Sequence, residues 1–341
     1  MSEAKKYKAL VLTSGGLDSI LAMHILAKQN IEIIGIHMIT WFNIPRYTLL
    51  EDQPDFYISN GFKVYNIDVS EDYTPILLNP SYGYGTSVNP CIDCKILFFS
   101  KAKELLGKYD ADFIATGEVI GQRPMTQNPQ AMRLIERKSG LEGLLLRPLS
   151  AKLLTPTIPE KKGWVDREKL YDIAGRGRKR QIEMAKKFGI TDYPSPAGGC
   201  ILTEKSFAPR FYDLIKHTNN VSINDFLVLR YGRHFRLSKK AKLVIGKNFE
   251  ENEFLKRLEW GNLKIDLTDI PGPYCLFEWD GRIKSFKLAL KICAVYSGYK
   301  KIDRDRIKIL IKNDAGKEKI IFVKLSAMLD KSMNLSKYMI K

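Results

Sequence analysis

The tightest constraint on the fold of this chain is a junction near its N-terminus. An apolar, strand-like run, Tyr7 to Thr13 (YKALVLT), breaks at Ser14-Gly15-Gly16, and a helical stripe starts at Leu17. From there apolar residues fall at 17, 20, 21 and 25, the spacing of one helix face, with the pattern running on to Gln29. Ile31 to Thr40 (IEIIGIHMIT), Phe62 to Val69 and Asp112 to Val119 read as further buried strands, and Lys95 to Tyr109 as a helix. Buried strands alternating with helices predict an α/β fold, a doubly wound parallel sheet covered on both faces in the Rossmann-like manner. Ligands of such sheets bind beyond the carboxyl ends of the strands. That directs attention to Ser14–Ser19, His37–Trp41, Asp68 and Thr116–Gln122.

The texture changes along the chain. Pro129 to Lys138, Asp166 to Ala174 and Arg180 to Phe188 read as helices, and Gly175 to Arg180 (GRGRKR) as a basic turn. Pro194, Pro196, Gly198 and Gly199 punctuate a loop that ends at Cys200. Beyond Asn219, β-like runs at 226–230, 242–245, 263–267, 274–279, 306–311 and 319–324 surround helices near 250–259 and 285–299. This predicts a smaller α+β domain over 220–341 after a first domain over 1–219. Charge divides as well. Residues 1–150 hold 15 Lys+Arg against 16 Asp+Glu, whereas 151–341 hold 40 against 22. A near-neutral catalytic half joined to a basic half that meets a polyanion fits this split, with RNA or DNA favoured because no amphipathic basic helix of the membrane-binding kind stands out. No apolar signal core precedes the first strand and no stretch is long enough to span a bilayer, so the expectation is a soluble cytoplasmic protein with no membrane partner.

Ser14-Gly15-Gly16-Leu17-Asp18-Ser19 has the makings of an anion cradle. Two glycines let the backbone approach a phosphate, consecutive N–H groups point inward, and a helix N-terminus adds positive potential. Ser14 and Ser19 supply hydroxyls, and Asp18 suits a Mg²⁺ ion or a helix cap. The Lys of a Walker-type loop is absent, which excludes a P-loop kinase or GTPase. SGGLDS resembles the signature of the N-type ATP pyrophosphatases, the PP-loop superfamily, whose adenine nucleotide alpha hydrolase-like members cleave ATP to AMP and pyrophosphate while adenylating a carbonyl oxygen. The resemblance implies ATP and Mg²⁺ as cofactors. It implies nucleotide binding by Ser14, Gly15, Gly16, Asp18, Ser19, His37, Met38, Gly117 and Gln122, with Asp18 also catalytic.

Five cysteines, an odd number, argue against a disulfide framework and for metal or redox chemistry. Cys91 and Cys94 share one turn at a helix start, a position that favours thiolate. Cys200 follows two glycines, while Cys275 and Cys293 fall in a strand and an apolar helical stripe and read as core. Cys91, Cys94 and Cys200 could hold an iron–sulfur cluster with an open position, act as a persulfide carrier with a resolving partner, or, with His24 or His37, ligate zinc.

Thr116-Gly117-Glu118-Val119-Ile120-Gly121-Gln122, and downstream Leu145-Leu146-Arg147-Pro148-Leu149, resemble the TGE-x-x-GQ and ILRPL segments of tRNA 4-thiouridine synthases. Some thiolating PP-loop families carry a [4Fe-4S] cluster on a CxxC pair plus a distal cysteine, and others use a persulfide. The presence of both Cys91 and Cys94 favours the cluster, with all three cysteines catalytic. In the C-terminal half, Lys242–Asn248, Asn252–Leu255 and Asp269–Pro273 resemble the RNA-binding domain of NFACT proteins.

Together the resemblances imply an ATP-dependent tRNA sulfurtransferase. Its partners would be tRNA and a sulfur donor, sulfide or a persulfide carrier, and a second copy of the chain in a homodimer is compatible with the resemblance. A small-molecule adenylating ligase and a non-catalytic RNA-binding translation factor are the competing readings. The first predicts a glutaminase domain or ammonia channel that the sequence does not display, and the second leaves the intact SGGLDS unused.

Overall fold

The computed structural model describes residues 6–194, 199–298, 305–328 and 334–341. Contacts divide the chain into two units, Met1–Ile44 with Leu49–Cys200, and Pro45–Thr48 with Ile201–Lys341.

The first unit runs β1 (Lys8–Leu12), α1 (Leu17–Ala27), β2 (Glu32–Ile39), β3 (Phe56–Ser59), β4 (Phe62–Asp68), α2 (Ser70–Leu78), α3 (Cys91–Lys108), β5 (Phe113–Thr116), α4 (Pro129–Ser139), β6 (Leu145–Leu146), α5 (Ile158–Lys161) and α6 (Lys179–Phe188). Its sheet has the order β3-β4-β2-β1-β5-β6, parallel except at the β3 edge. Alternation along β1 builds two cores. Ala9 and Val11 pack with Leu21 and Leu26 of α1 and Ala185 of α6, while Leu10 packs with Phe99 and Ala102 of α3 and Ile135 of α4. The doubly wound parallel sheet is therefore the observed fold, and β1, paired with β2 on one side and β5 on the other, marks where the strand order reverses.

Two expected details differ. Asp166 to Ala174 does not form a helix: Asp166 caps only a 3₁₀ turn, Arg167–Lys169. Beyond it, the Tyr171 and Ile173 N–H groups donate to the Pro148 and Leu149 carbonyls at 2.9 and 2.8 Å, which holds the segment extended. The sequence reading also missed β3 and α2.

The second unit runs α7 (Phe207–His217), α8 (Ile223–Leu229), β7 (Arg233–Ser238), β8 (Ala241–Ile245), α9 (Phe249–Arg257), β9 (Leu263–Leu267), β10 (Cys275–Glu278), α10 (Ile283–Val295), β11 (Arg306–Asn313) and β12 (Glu318–Lys324). Its antiparallel sheet has the order β12-β11-β9-β10-β8-β7. The α+β expectation holds here, but 226–230 belongs to α8, not to a strand. Ser222 and Asp225 exchange N–H donations to each other's side chains, a capping box that starts a helix. Position 299, the expected end of the last helix, lies outside the described residues. The units divide at 200/201, ahead of the expected 219/220, and α7 falls in the second unit because Asp213 on it is bound by Arg236 at 2.7 Å and Lys242 at 3.2 Å. Cys275 and Cys293 are fully buried in the second core with their sulfurs 3.0 Å apart.

Candidate active site

β1 ends at Leu12, and the chain turns through Thr13 to Gly16 into α1. Gly15 takes a φ of +72°, a left-handed conformation that glycine adopts without a steric penalty. Thr13 Oγ1 accepts from the Gly15 N–H at 3.0 Å and lies 2.8 Å from Ser19 Oγ, which donates to the Gly16 carbonyl at 2.7 Å. These bonds fix the loop as a rigid turn. Gly16 is the N-cap residue and has no side chain to cap the helix. Ser19 N already donates to the Gly16 carbonyl at 3.1 Å, which leaves the Leu17 and Asp18 N–H groups of the first turn of α1 for an anion.

The end of β5 closes against this turn. A Cβ on Gly117 would come within 2.3 Å of the Asp18 carbonyl carbon and the Ser19 nitrogen, so only glycine fits there. The chain then turns at Gly121, with Gln122 N donating to the Val119 carbonyl at 3.1 Å. That brings Gln122 Nε2 to 3.1 Å from Asp18 Oδ2, and Arg178 Nη2 stands 3.8 Å from the same oxygen. Asp18 Oδ1 is buried without a hydrogen-bond partner, which suits a cation.

A cavity of 490 Å³ opens at this strand end. Its walls include Ser14, Gly16, Asp18, Ser19, His37, Met38, Gly117 and Gln122, so the structure gathers these expected residues at one site. Gly15 lies between two of them in the turn. His37, on β2, is kept neutral at physiological pH because burial lowers its pKa, a fall that its hydrogen bond to Asn66 only partly offsets. Asp68 lies at the end of β4, where its carboxylate accepts from Ser70 N at 2.9 Å and starts α2. His24 is not at the cavity. It stacks edge-on against Phe62 with ring centroids 4.9 Å apart, which removes it as a metal ligand.

Cys94 and Cys200 also line the cavity. Cys91 is one turn away from Cys94, its sulfur 3.1 Å from Asn89 Nδ2. Burial pushes the Cys94 thiol well above its ordinary range. The neighbouring Cys200 and Cys91 add to this, and Lys95 opposes it. Cys200 itself is exposed. Among the described residues, no three His, Cys, Asp or Glu side chains converge as a metal-binding group. The preceding Pro196 and Gly198 lie outside the described residues.

Glu118, in the expected Thr116–Gln122 segment, lines the cavity, as do Lys95, Arg123 and Arg178, which lie outside the expected segments. Glu118 is buried, with Lys95 Nζ at 3.1 Å and Arg147 Nε at 3.0 Å, and Arg147 also pairs with Glu136. Burial alone would raise the Glu118 pKa, but the two cations hold it below the usual carboxylate range. Arg178 belongs to the GRGRKR turn, which is tied to the β5 loop by Gly175 N donating to the Ile120 carbonyl at 2.8 Å. A basic run alone carries no signal for such a tether, whereas Lys95 could have been noticed as the residue directly after Cys94.

Residues 7–139 match the family described as tRNA methyl transferase HUP domain, and residues 232–339 match the NFACT protein RNA binding domain. Three relatives share the name tRNA-specific 2-thiouridylase MnmA. That of Cytophaga hutchinsonii is 31% identical over 129 residues, 33% of this chain and 35% of that protein. That of Listeria monocytogenes is 25% identical over 215 residues, 59% and 54% of the two chains. That of Karelsulcia muelleri is 29% identical over 187 residues, 50% and 47%. This chain therefore spans between 35% and 54% of the length of these relatives. A solved predicted subunit of tRNA methyltransferase from Methanocaldococcus jannaschii is 19% identical, covering 48% of this chain and 92% of its own, with a TM-score of 0.28, too low to support an argument. Residues 7–139 are thus similar to the tRNA methyl transferase HUP domain, and residues 232–339 to the NFACT RNA binding domain.

Proposed function

We propose that the protein is an ATP-dependent tRNA uridine sulfurtransferase. The observation that carries this reading is that Cys94 and Cys200 line the same cavity as the Ser14–Ser19 loop, so that adenylation and sulfur transfer share one site. The ATP phosphates lie on the loop N–H groups, with His37 and Met38 toward the nucleoside. Mg²⁺ fits at Asp18, where an unpartnered buried carboxylate oxygen is available, and would supply charge neutralisation on the phosphates.

A uridine carbonyl oxygen attacks the α-phosphorus. An O–P bond forms, the α–β phosphoanhydride bond breaks, and pyrophosphate leaves as its charge is balanced by Arg178 and Arg123. Exposed Cys200 accepts a sulfane sulfur from a persulfide donor. Its terminal sulfur attacks the adenylated ring carbon and expels AMP. Cys94, kept as a thiol until it gives up its proton, then attacks Cys200 Sγ. The persulfide S–S bond breaks, the thiouridine leaves, and a Cys94–Cys200 disulfide remains for an external dithiol to reduce. The iron–sulfur cluster implied by resemblance lacks a three-ligand grouping among the described residues, so no step is routed through it.

The relatives' names favour O2 as the oxygen replaced, and the TGEVIGQ segment favours O4. The second unit, with 29 basic against 16 acidic residues over 201–341 and a match to an RNA-binding domain, is the tRNA-holding part. The test is tRNA-dependent release of pyrophosphate from ATP, with AMP formed in equal amount once a persulfide donor is added. Pyrophosphate release that ignores tRNA but responds to a small carboxylate or amide would favour the ligase reading.

A further inference from the structure

The second sheet is covered unequally on its two faces. One face carries Ile307, Ile309 and Ile311 of β11 and packs with α10 into the buried core. On the opposite face, Val244 and Leu276 are fully buried at the β8–β10 end, α9 contacts β10, and Lys242 is held by Asp213 of α7. Over β11 and β12 that face is open. Phe322 is 70% exposed and Ile320 49%, both in the middle of a strand. Register places Leu310 opposite Ile320 and Lys308 opposite Phe322, so the three apolar side chains form one patch across two strands. Its surroundings are cationic: Arg306 pairs with Lys324 across the strands, and Lys312 pairs with Lys264 of β9. Acids near it include Glu318, which neutralises Lys312 at 3.3 Å, Asp266 opposite Leu310, Asp269, whose Oδ1 accepts from Lys308 N at 3.0 Å, and the strand-end Asp305, bound by Ser326.

Phe322 is an exposed aromatic on a sheet face, with Lys308 opposite it and Lys324 two residues along its own strand. A phenyl ring accepts a nucleobase on its face, and lysines beside it meet the phosphates next to a stacked base. We infer that the open face of β11 and β12 is a single-stranded RNA platform, on which an unpaired base stacks on Phe322 and the flanking phosphates lie on Lys308 and Lys324. A protein partner would be expected to meet fewer lysines, a residue type depleted at protein–protein interfaces. The inference rests on the reading of the second unit as the RNA-holding part and deepens it. The unit would grip an unpaired segment of its RNA through stacking, in addition to the phosphates of a duplex.

The test uses the full-length protein, a fluorescein-labelled oligoribonucleotide of about ten unpaired residues, within the span of one such groove, and a duplex of the same length. Phe322→Ala should weaken single-strand binding about tenfold, the loss of one stacked base, and Phe322→Trp should restore it. The salt dependence should stay unchanged in both variants, and duplex binding should fall much less. Lys308→Gln should instead lower the slope of log affinity against log salt by about 0.7. Phe322 is exposed, so thermal midpoints should match the parent. Single-strand binding by Phe322→Ala within twofold of the parent overturns the platform while leaving the RNA reading intact. A parent that binds neither RNA overturns both. A variant that keeps RNA binding but changes oligomeric state reassigns the face to a protein contact.

Discussion

Gly117→Ala is the smallest change that should disable the phosphate loop. The methyl carbon would sit 2.3 Å from the backbone of Asp18 and Ser19, against the 3.4 Å of ordinary contact, so the loop or the end of β5 must retreat by about 1 Å. Neither can do so cheaply. Thr13, Gly15, Gly16 and Ser19 lock the loop through hydrogen bonds of 2.7–3.0 Å, and Leu12 and Thr116 are paired partners in the sheet. Overpacking of this kind costs about 1–3 kcal/mol, and in a domain of this size each kcal/mol lowers the melting midpoint by about 2–4 °C. A displacement of about 1 Å at a positioned site costs on the order of a hundredfold in rate. Gly16→Ala is the control for stability, because its Cβ meets nothing closer than 3.5 Å and its φ of −78° suits any residue. The assays are tRNA-dependent pyrophosphate release and the thermal midpoint of both variants. Gly117→Ala with wild-type turnover and an unchanged midpoint would refute the argument that β5 and the loop are in backbone contact.

Three further outcomes are expected. Asp18→Ala should abolish pyrophosphate release while RNA affinity stays near that of the parent, as measured by filter binding. Cys94→Ser and Cys200→Ser should each stop sulfur transfer yet keep pyrophosphate release. Iodoacetamide should label exposed Cys200 first and reach Cys94 only as pH climbs beyond the usual thiol range, because the Cys94 pKa is raised; Cys275→Ser should leave transfer intact. Glu118→Gln should destabilise the first unit by about 3–5 kcal/mol by leaving the buried Arg147 charge undercompensated. The folded-state pKa of Glu118 is depressed, so its contribution is present above the unfolded carboxyl value and is lost as pH falls through the lower folded value. Acid melts should show the parent losing its advantage over the variant below about pH 4.

The parallel sheet and the phosphate loop were legible because both rest on local pattern. Apolar strands of fixed length, a double glycine and a helical stripe leave few alternatives, and the strand ends then specify where His37, Met38, Gly117 and Gln122 must lie. The Lys95–Glu118–Arg147 cluster was not legible, because its two ion pairs join residues 23 and 29 positions apart that no periodicity links. Arg178 was missed for a similar reason: only the tertiary pairing of Gly175 with Ile120 turns a basic run toward Asp18. Residues 226–230 illustrate the opposite failure. Phe226, Leu227, Val228 and Leu229 have strand-like composition, but the Ser222–Asp225 capping box and burial of all four put them in a helix. The Cys94–Cys200 proximity was expected only through the family resemblance, since no local pattern links two residues more than a hundred positions apart in sequence.

The proposed sulfurtransferase replaces a uridine oxygen of tRNA with sulfur in an ATP-consuming step. Its most direct test is mass spectrometry of nucleosides from tRNA incubated with the purified protein, ATP, Mg²⁺, a persulfide donor and a dithiol reductant. The expected product is a new uridine-derived nucleoside heavier by the difference between sulfur and oxygen, with one AMP and one pyrophosphate per thiolated residue, and none of it from the Asp18→Ala or Cys200→Ser proteins. An unchanged nucleoside profile beside continued ATP cleavage would contradict it.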